Sequence, residues 1–457
     1  MSAPAASADA TSATPTADSS TPTTNSTPAA QPAPASASKP SGLTFDGITV
    51  YGTLDIGAAY LSHGAPLTNT YGPGLPYMIQ KFSNKSEFSV APNALSQSKF
   101  GVSGVEPIAS DVSVVFKLET GFQPTSFETS NGPLSLIKDN GVALDKETES
   151  GDSARAGQLF QGAAWAGLAS KTFGTLTYGR QNSLILDDLI KYDPQAQSQA
   201  LSPVGYSGVA GGGGDTEDTR FDSVLKYVVA HGPVRFAYLH QFSSGGSEPG
   251  SDQVDIGGDF HGLSVDGVYA HVTGAISASS LTEAQNLLHP GTLDATVSDN
   301  TTYSVQAKYV PGQLKQLRLY AAYENIDYAN PHTPLASGAT SDGGYILSTV
   351  NDTAYDHHKV LQIWWLGARY AVTPKLDLAA AYYEYDQNSY KGNGCADSSA
   401  SSCSGAMNFA SAVADQTLTK HFDIYAGVAY STVANGLASG YLNRSVVSPV
   451  TGLRFNF

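Results

Sequence analysis

Gly452-Leu453-Arg454-Phe455-Asn456-Phe457 closes the chain. Leu453, Phe455 and Phe457 alternate with Gly452, Arg454 and Asn456, so in an extended backbone one face is apolar and the other polar. Such a strand suits the rim of a soluble sandwich as well as a wall held against lipid. The rest of the chain favours lipid, because the same alternation recurs from Ile48 onward.

Val114, Phe116 and Leu118 oppose Ser113, Lys117 and Glu119; Tyr303, Val305, Ala307 and Tyr309 oppose Ser304, Gln306 and Lys308; Leu317, Leu319 and Tyr323 oppose Arg318 and Glu324. The polar faces carry full charges. A soluble barrel would bury them unpaired, at a cost on the order of several kcal/mol per ion. The apolar face is therefore expected outside, in lipid, around a wet interior.

Composition agrees. The 457 residues include 46 Gly and 25 Tyr, with only 14% charged. No run approaches the roughly 18 apolar residues of a helical span, whereas a strand crosses a bilayer in about nine to eleven residues and shows lipid only alternate side chains. A net charge of -16 argues against a nucleic-acid partner.

Sixteen strands are expected, near 48–61, 99–106, 112–122, 161–169, 174–181, 220–229, 234–242, 254–260, 263–273, 300–309, 317–325, 360–371, 376–386, 407–418, 422–433 and 448–457. Short turns such as 107–111, 170–173 and 231–233 alternate with long polar connections. An even number of strands, with turns at one end and loops at the other, is the arrangement of a transmembrane antiparallel β-barrel. Tyr227, Tyr370 and Tyr430 at strand ends suit its interfacial girdles, although tyrosine is also a good strand former.

Residues 1–42 are almost wholly Ala, Ser, Thr and Pro and are expected to form a disordered tail ahead of a barrel spanning 43–457. The basic and apolar portions of an export signal do not occur there. Either the signal has been removed or the natural start lies elsewhere. Cys395 and Cys403 stand close together in a Gly/Ser-rich loop, which suits a disulfide formed in an oxidising periplasm; two free thiols are the alternative, and a metal site would want more ligands.

The segments Ile48-Thr-Val-Tyr-Gly-Thr-Leu-Asp55, Ser98-Lys-Phe-Gly-Val-Ser-Gly-Val-Glu106, Ala164-Trp-Ala-Gly-Leu168 and Phe173-Gly-Thr-Leu-Thr-Tyr-Gly-Arg-Gln181, together with terminal Phe457, resemble the trimeric general-diffusion porins of Gram-negative bacteria, most of all the betaproteobacterial branch. The likeness runs from about residue 45 to the end; residues 1–42 have no counterpart. It implies a homotrimer in the outer-membrane lipid, inserted by the barrel-assembly machinery that reads Phe457, and a passive channel for small hydrophilic solutes and ions. It also implies a third loop folded inward to narrow the pore, and the long segment after Arg180 is in the right place.

That segment carries Asp187, Asp188 and Asp193, a glycine run 211–214, and Asp215, Glu217 and Asp218. Carboxylates inside a low-dielectric tube hold cations, so a mild cation preference is expected; a solvated acidic surface loop is the alternative. Opposite the loop the family places a basic ladder, onto which Lys99 and Arg220 map. Gly162 and Thr53 stand where relatives carry basic residues. Arg180 has the parity of lipid-facing Leu176 and Tyr178, and by resemblance is a trimer contact.

No catalytic set, metal site or cofactor motif stands out. A barrel enzyme would need a nucleophile beside a base, and His231, His261 and His357-His358 sit in turns or loops. A substrate-specific channel would show a basic or aromatic track, to which Arg235, Arg318, Arg369 and Arg454 could contribute. An adhesin or structural barrel would need a plugged lumen.

Overall fold

The computed structural model describes residues 43–64, 77–81, 83–129, 132–147, 159–204, 220–242, 250–334, 341–342, 345–391, 395 and 400–457. The tail of residues 1–42 falls outside them. Among the described residues, sixteen strands form a closed antiparallel barrel. They are β1 (Ile48–Gly64), β2 (Lys99–Pro107), β3 (Val112–Gly121), β4 (Ala163–Ser170), β5 (Gly174–Asn182), β6 (Arg220–His231), β7 (Val234–Gln241) and β8 (Gly250–Phe260). There follow β9 (Leu263–Ser279), β10 (Leu293–Tyr309), β11 (Leu317–Ala329), β12 (Lys359–Ala371), β13 (Leu376–Gln387), β14 (Gly405–Thr417), β15 (Phe422–Asn435) and β16 (Ser445–Asn456). Each pairs with its chain neighbour, and β1 closes the ring on β16 through Thr53↔Asn456 to Ala59↔Val450. That ladder stops one residue short of Pro449, which has no N–H to continue it.

Strand parity sets the two faces. Leu168, Leu176, Ile256, Val305, Leu366 and Tyr430 are exposed on the outer wall. So continuous an apolar surface would be anomalous in water and is matched by lipid. No helix among the described residues is long and apolar enough to cross a membrane; the strands do the crossing.

The inner face changes along its length. Toward the short turns it carries Arg318, Arg369, Arg454 and their aspartates; toward the long loops it carries buried Leu361, Ile363, Trp365, Tyr383, Tyr385 and Phe409. The expected wet interior thus describes only part of it, because the loop-ward half is packed.

Two connections differ from the sequence reading. β9 and β10 run well beyond the expected 273 and 300, with a register shift between Val272 and Ala275 and Gly274 at a φ of 67°. Their extensions bury Ile276, Leu293, Ala295 and Val297 against Tyr345 and Leu347, whose strand Tyr345–Asn351 pairs in parallel with the start of β10. The Ser/Thr-rich composition of these extensions hid a small apolar core. The connection after β1 is likewise not all loop: Lys85–Pro92 pairs with the upper half of β1 while β2 takes the lower half. In the break between them, the Asp55 carboxylate accepts the Leu95 and Ser96 amides at 2.9 and 2.6 Å.

Candidate functional site

Three neighbouring strands build a basic wall. Alternation turns Tyr51 of β1, Lys99 of β2, and Lys117 and Glu119 of β3 inward. Glu119 lies 3.3 Å from both lysine Nζ atoms and accepts the Tyr51 hydroxyl at 2.9 Å. Two cations share one carboxylate. The lysine side chains remain about a third exposed, at 35% and 34%, against 10% for Glu119, so the accessible charge of this wall is positive. Arg220, which opens β6, is near enough for its charge to bear on Glu119 and Lys117.

The second component follows β5. Ser183 caps helix α1 (Leu184–Tyr192) by accepting the Leu186 amide at 3.0 Å, which satisfies one of the free N–H groups at its start. Leu184 donates to Gln253 of β8 at 2.7 Å. Tyr192 and Lys191 both bond Asp266 of β9. Beyond the helix, Trp365 and Arg369 of β12 donate to the Tyr192 and Pro194 carbonyls at 3.2 Å each. Tyr385 of β13 donates to the Pro203 carbonyl at 2.8 Å, Ser411 of β14 to that of Leu201 at 2.6 Å, and the Ala200 amide reaches Ala94 at 2.8 Å. Every one of these strand side chains lies on the face opposite the exposed apolar residues.

The expected eyelet acids have other occupations. Asp187 pairs with Lys226 of β6 and accepts Asn182 at 2.9 Å. Asp188 is only 5% exposed; burial first, then Asp255 and Asp266, push its carboxyl well above the ordinary range. Asp193 is buried too, accepting the Tyr383 hydroxyl and the Gln195 and Gln197 amides, and burial raises its carboxyl despite those bonds. Asp188 and Asp193, expected among the constriction acids, are thus both buried, because the helix and the residue that ends it pack against the wall and turn these short acids into that contact. Asp215, Glu217 and Asp218 lie outside the described residues.

Arg180 also differs. The ladder shifts here because β6 sets two residues, Asp222 and Ser223, opposite the single residue Arg180, a bulge in β6. Arg180 is buried, donating to the Gln161 and Arg220 carbonyls at 2.7 and 3.0 Å and to Asp222 at 2.9 Å. The charge expected to be met by a neighbouring subunit is met within the chain. Cys395 and Cys403, in the long connection between β13 and β14, are joined as a disulfide with Cα atoms 5.3 Å apart. Phe457 exchanges backbone hydrogen bonds with Gly52 at 3.0 and 3.1 Å.

The four inward arginines form no free track. Arg235 pairs with Asp259 and Asp266, Arg318 and Arg369 share Asp377, and Arg454 bridges Asp415 and Asp423. Lys117, Glu119, Lys226, Asp255 and Asp266 were missed as site residues. Their inward parity was legible; which of them meet across the barrel was not.

An antiparallel barrel closed on itself, apolar outside and charged within, defines an outer-membrane β-barrel of the channel type. The chain belongs to the Gram-negative porin family, whose profile matches residues 5–436. The match reaches into the tail read above as having no counterpart. An outer membrane porin protein of Bordetella pertussis is 23% identical over 198 residues, 43% of each chain, so the chain spans less than half the length of that relative. Among solved structures, the anion-selective porin from Comamonas acidovorans superposes with a TM-score of 0.59 at 15% identity, over 90% of this chain and 99% of that one. The trimer form of in-vitro folded OmpT from Vibrio cholerae gives 0.57 at 13%, over 90% and 99%. At such identities the likeness is one of fold. The family places the protein in the outer membrane, among channels rather than enzymes.

Proposed function

We propose that the protein is a passive diffusion channel for small hydrophilic solutes and ions, working as a homotrimer, with the segment from Leu184 to Val204 crossing the lumen as its constriction. The observation that carries this reading is the set of bonds from that one segment to inward side chains of β8, β9, β12, β13 and β14 and to Ala94. A segment tied to so much of the wall cannot leave the full bore open. The trimer is proposed by analogy with the Vibrio cholerae neighbour.

The mild cation preference expected from the sequence rested on the acids of the long segment after Arg180, of which Asp187, Asp188 and Asp193 fall within the described residues. Two are buried and the third is paired, while Lys99 and Lys117 stay accessible, so we infer a weakly selective pore whose basic wall offsets its acids. No free arginine track supports a substrate-specific channel. Planar-bilayer recording tests both claims: ohmic conductance in steps of three is expected, with a reversal potential near zero in a salt gradient. Absence of conductance would remove the channel, and strong selectivity of either sign would remove the balanced constriction.

A further inference from the structure

We propose that Asp188 of α1, Asp255 of β8 and Asp266 of β9 form a calcium site that ties the helix to the barrel wall. One carboxylate oxygen from each lies within 4.8 Å of the other two. Calcium takes oxygen ligands at about 2.3–2.6 Å, so any two oxygens on one ion stand no more than about 5.2 Å apart, a bound that all three pairs here meet. Magnesium demands near-ideal octahedral geometry and parts reluctantly with its water, which suits a buried cluster of carboxylates less well.

A cluster of acids alone would not identify a site; the buried oxygens do. Asp188 Oδ2 and Asp255 Oδ1 are both buried and have no hydrogen-bond partner. Asp188 is 5% exposed, so solvent does not serve its oxygen. A buried carboxylate oxygen with nothing to accept is costly, and a coordinated cation removes that cost.

The charges bearing on Asp188 and Asp255 are those of Asp187, Asp266, Lys191 and Arg235. The two cations are already engaged. Lys191 and Arg235 both pair with Asp266, which the Tyr192 hydroxyl also meets, and Asp187 is held by Lys226. Asp188 and Asp255 are left facing each other's charge.

The wall is shaped for this arrangement at Gly257, the cross-strand partner of Asp266. A Cβ at Gly257 would stand 1.4 Å from Asp266 Oδ1, inside the carboxylate. Only glycine lets that side chain lie across the neighbouring strand toward Asp255.

The trimer folded in detergent and stripped with EDTA is titrated with 45Ca2+ by equilibrium dialysis. One saturable site per chain is expected, weakened at least tenfold in Asp255→Asn and in Asp188→Asn. Gly257→Ala, which keeps all three acids, should weaken it as well. Heat-modifiable gel mobility verifies that each variant has folded. No saturable uptake, or uptake unchanged in Asp255→Asn, would overturn the site and leave the acids sharing protons. Binding does not rest on reading α1 as the constriction, but its effect on conductance does. Uptake that is lost in the variants, with conductance indifferent to calcium, would uphold the site and sink the constriction.

Discussion

The Phe457 ring lies directly over Gly52: a Cβ on that glycine would stand 2.4 Å from the ring's Cζ atom. The two residues also exchange both backbone hydrogen bonds, at 3.0 and 3.1 Å, and Phe457 stacks on Phe455 at 5.7 Å. The last residue of the chain therefore completes the seam where the first strand meets the last. The aromatic terminus has a structural seat as well as the proposed role as an assembly signal.

Deleting Phe457 removes two hydrogen bonds worth about 0.5–1.5 kcal/mol each and one ring contact. Folding in detergent should survive this with a modest drop in melting temperature, while assembly in cells should fall severalfold. Gly52→Val, which keeps the signal but blocks its seat, should cost stability without that loss of assembly. Equal assembly of the truncated and full chains, measured by outer-membrane fractionation, would show that the terminus is not read.

Ion selectivity should answer to Lys99 and Lys117. Unit charges about 4 Å apart across water interact by about 1 kcal/mol, so each residue can tune permeability only a few-fold. The double variant Lys99→Gln/Lys117→Gln should move the reversal potential toward cations, and Glu119→Gln, which releases both lysines, toward anions. Asp188→Asn/Asp193→Asn should leave it nearly still, since both acids are buried. A large shift from that last pair would restore them to the pore.

The fold was legible because a barrel repeats one simple signal. Each of the sixteen strands coincides with an alternating segment, and the parity that turned Phe116 outward and Lys117 inward is a local property of the chain. The site was less legible because it depends on what meets across the barrel. Alternation shows that Asp266 faces inward but not that Lys191, Arg235 and Tyr192 all converge on it. Arg180 misled for a related reason: its side chain is held by Gln161, Arg220 and Asp222, partners from other segments that strand parity does not show.

Reduction of the Cys395–Cys403 disulfide should loosen one external loop and leave conduction intact. With eight residues of separation, the loop-closure effect on the unfolded chain is about 2–3 kcal/mol, small beside a ring of sixteen strands. Reduced protein should be nicked by protease between β13 and β14 more quickly, at unchanged single-channel conductance. A change in conductance on reduction would place this loop over the mouth of the pore.

Gly162→Arg tests where the narrow point lies. A Cβ there would stand 3.1 Å from both the carbonyl oxygen and Oε1 of Glu119, so the carboxylate must give by a few tenths of an ångström, and the new guanidinium would enter beside it. A third cation drawn to Glu119 weakens its hold on Lys99 and Lys117 and adds bulk to the basic wall. Conductance should fall, and the reversal potential in a salt gradient should move toward anions. Raising the salt to 1 M shortens the Debye length to about 3 Å, which should erase most of the selectivity change while the loss of conductance persists. Unaltered conductance would mean that the wall at Glu119 faces a wide part of the lumen.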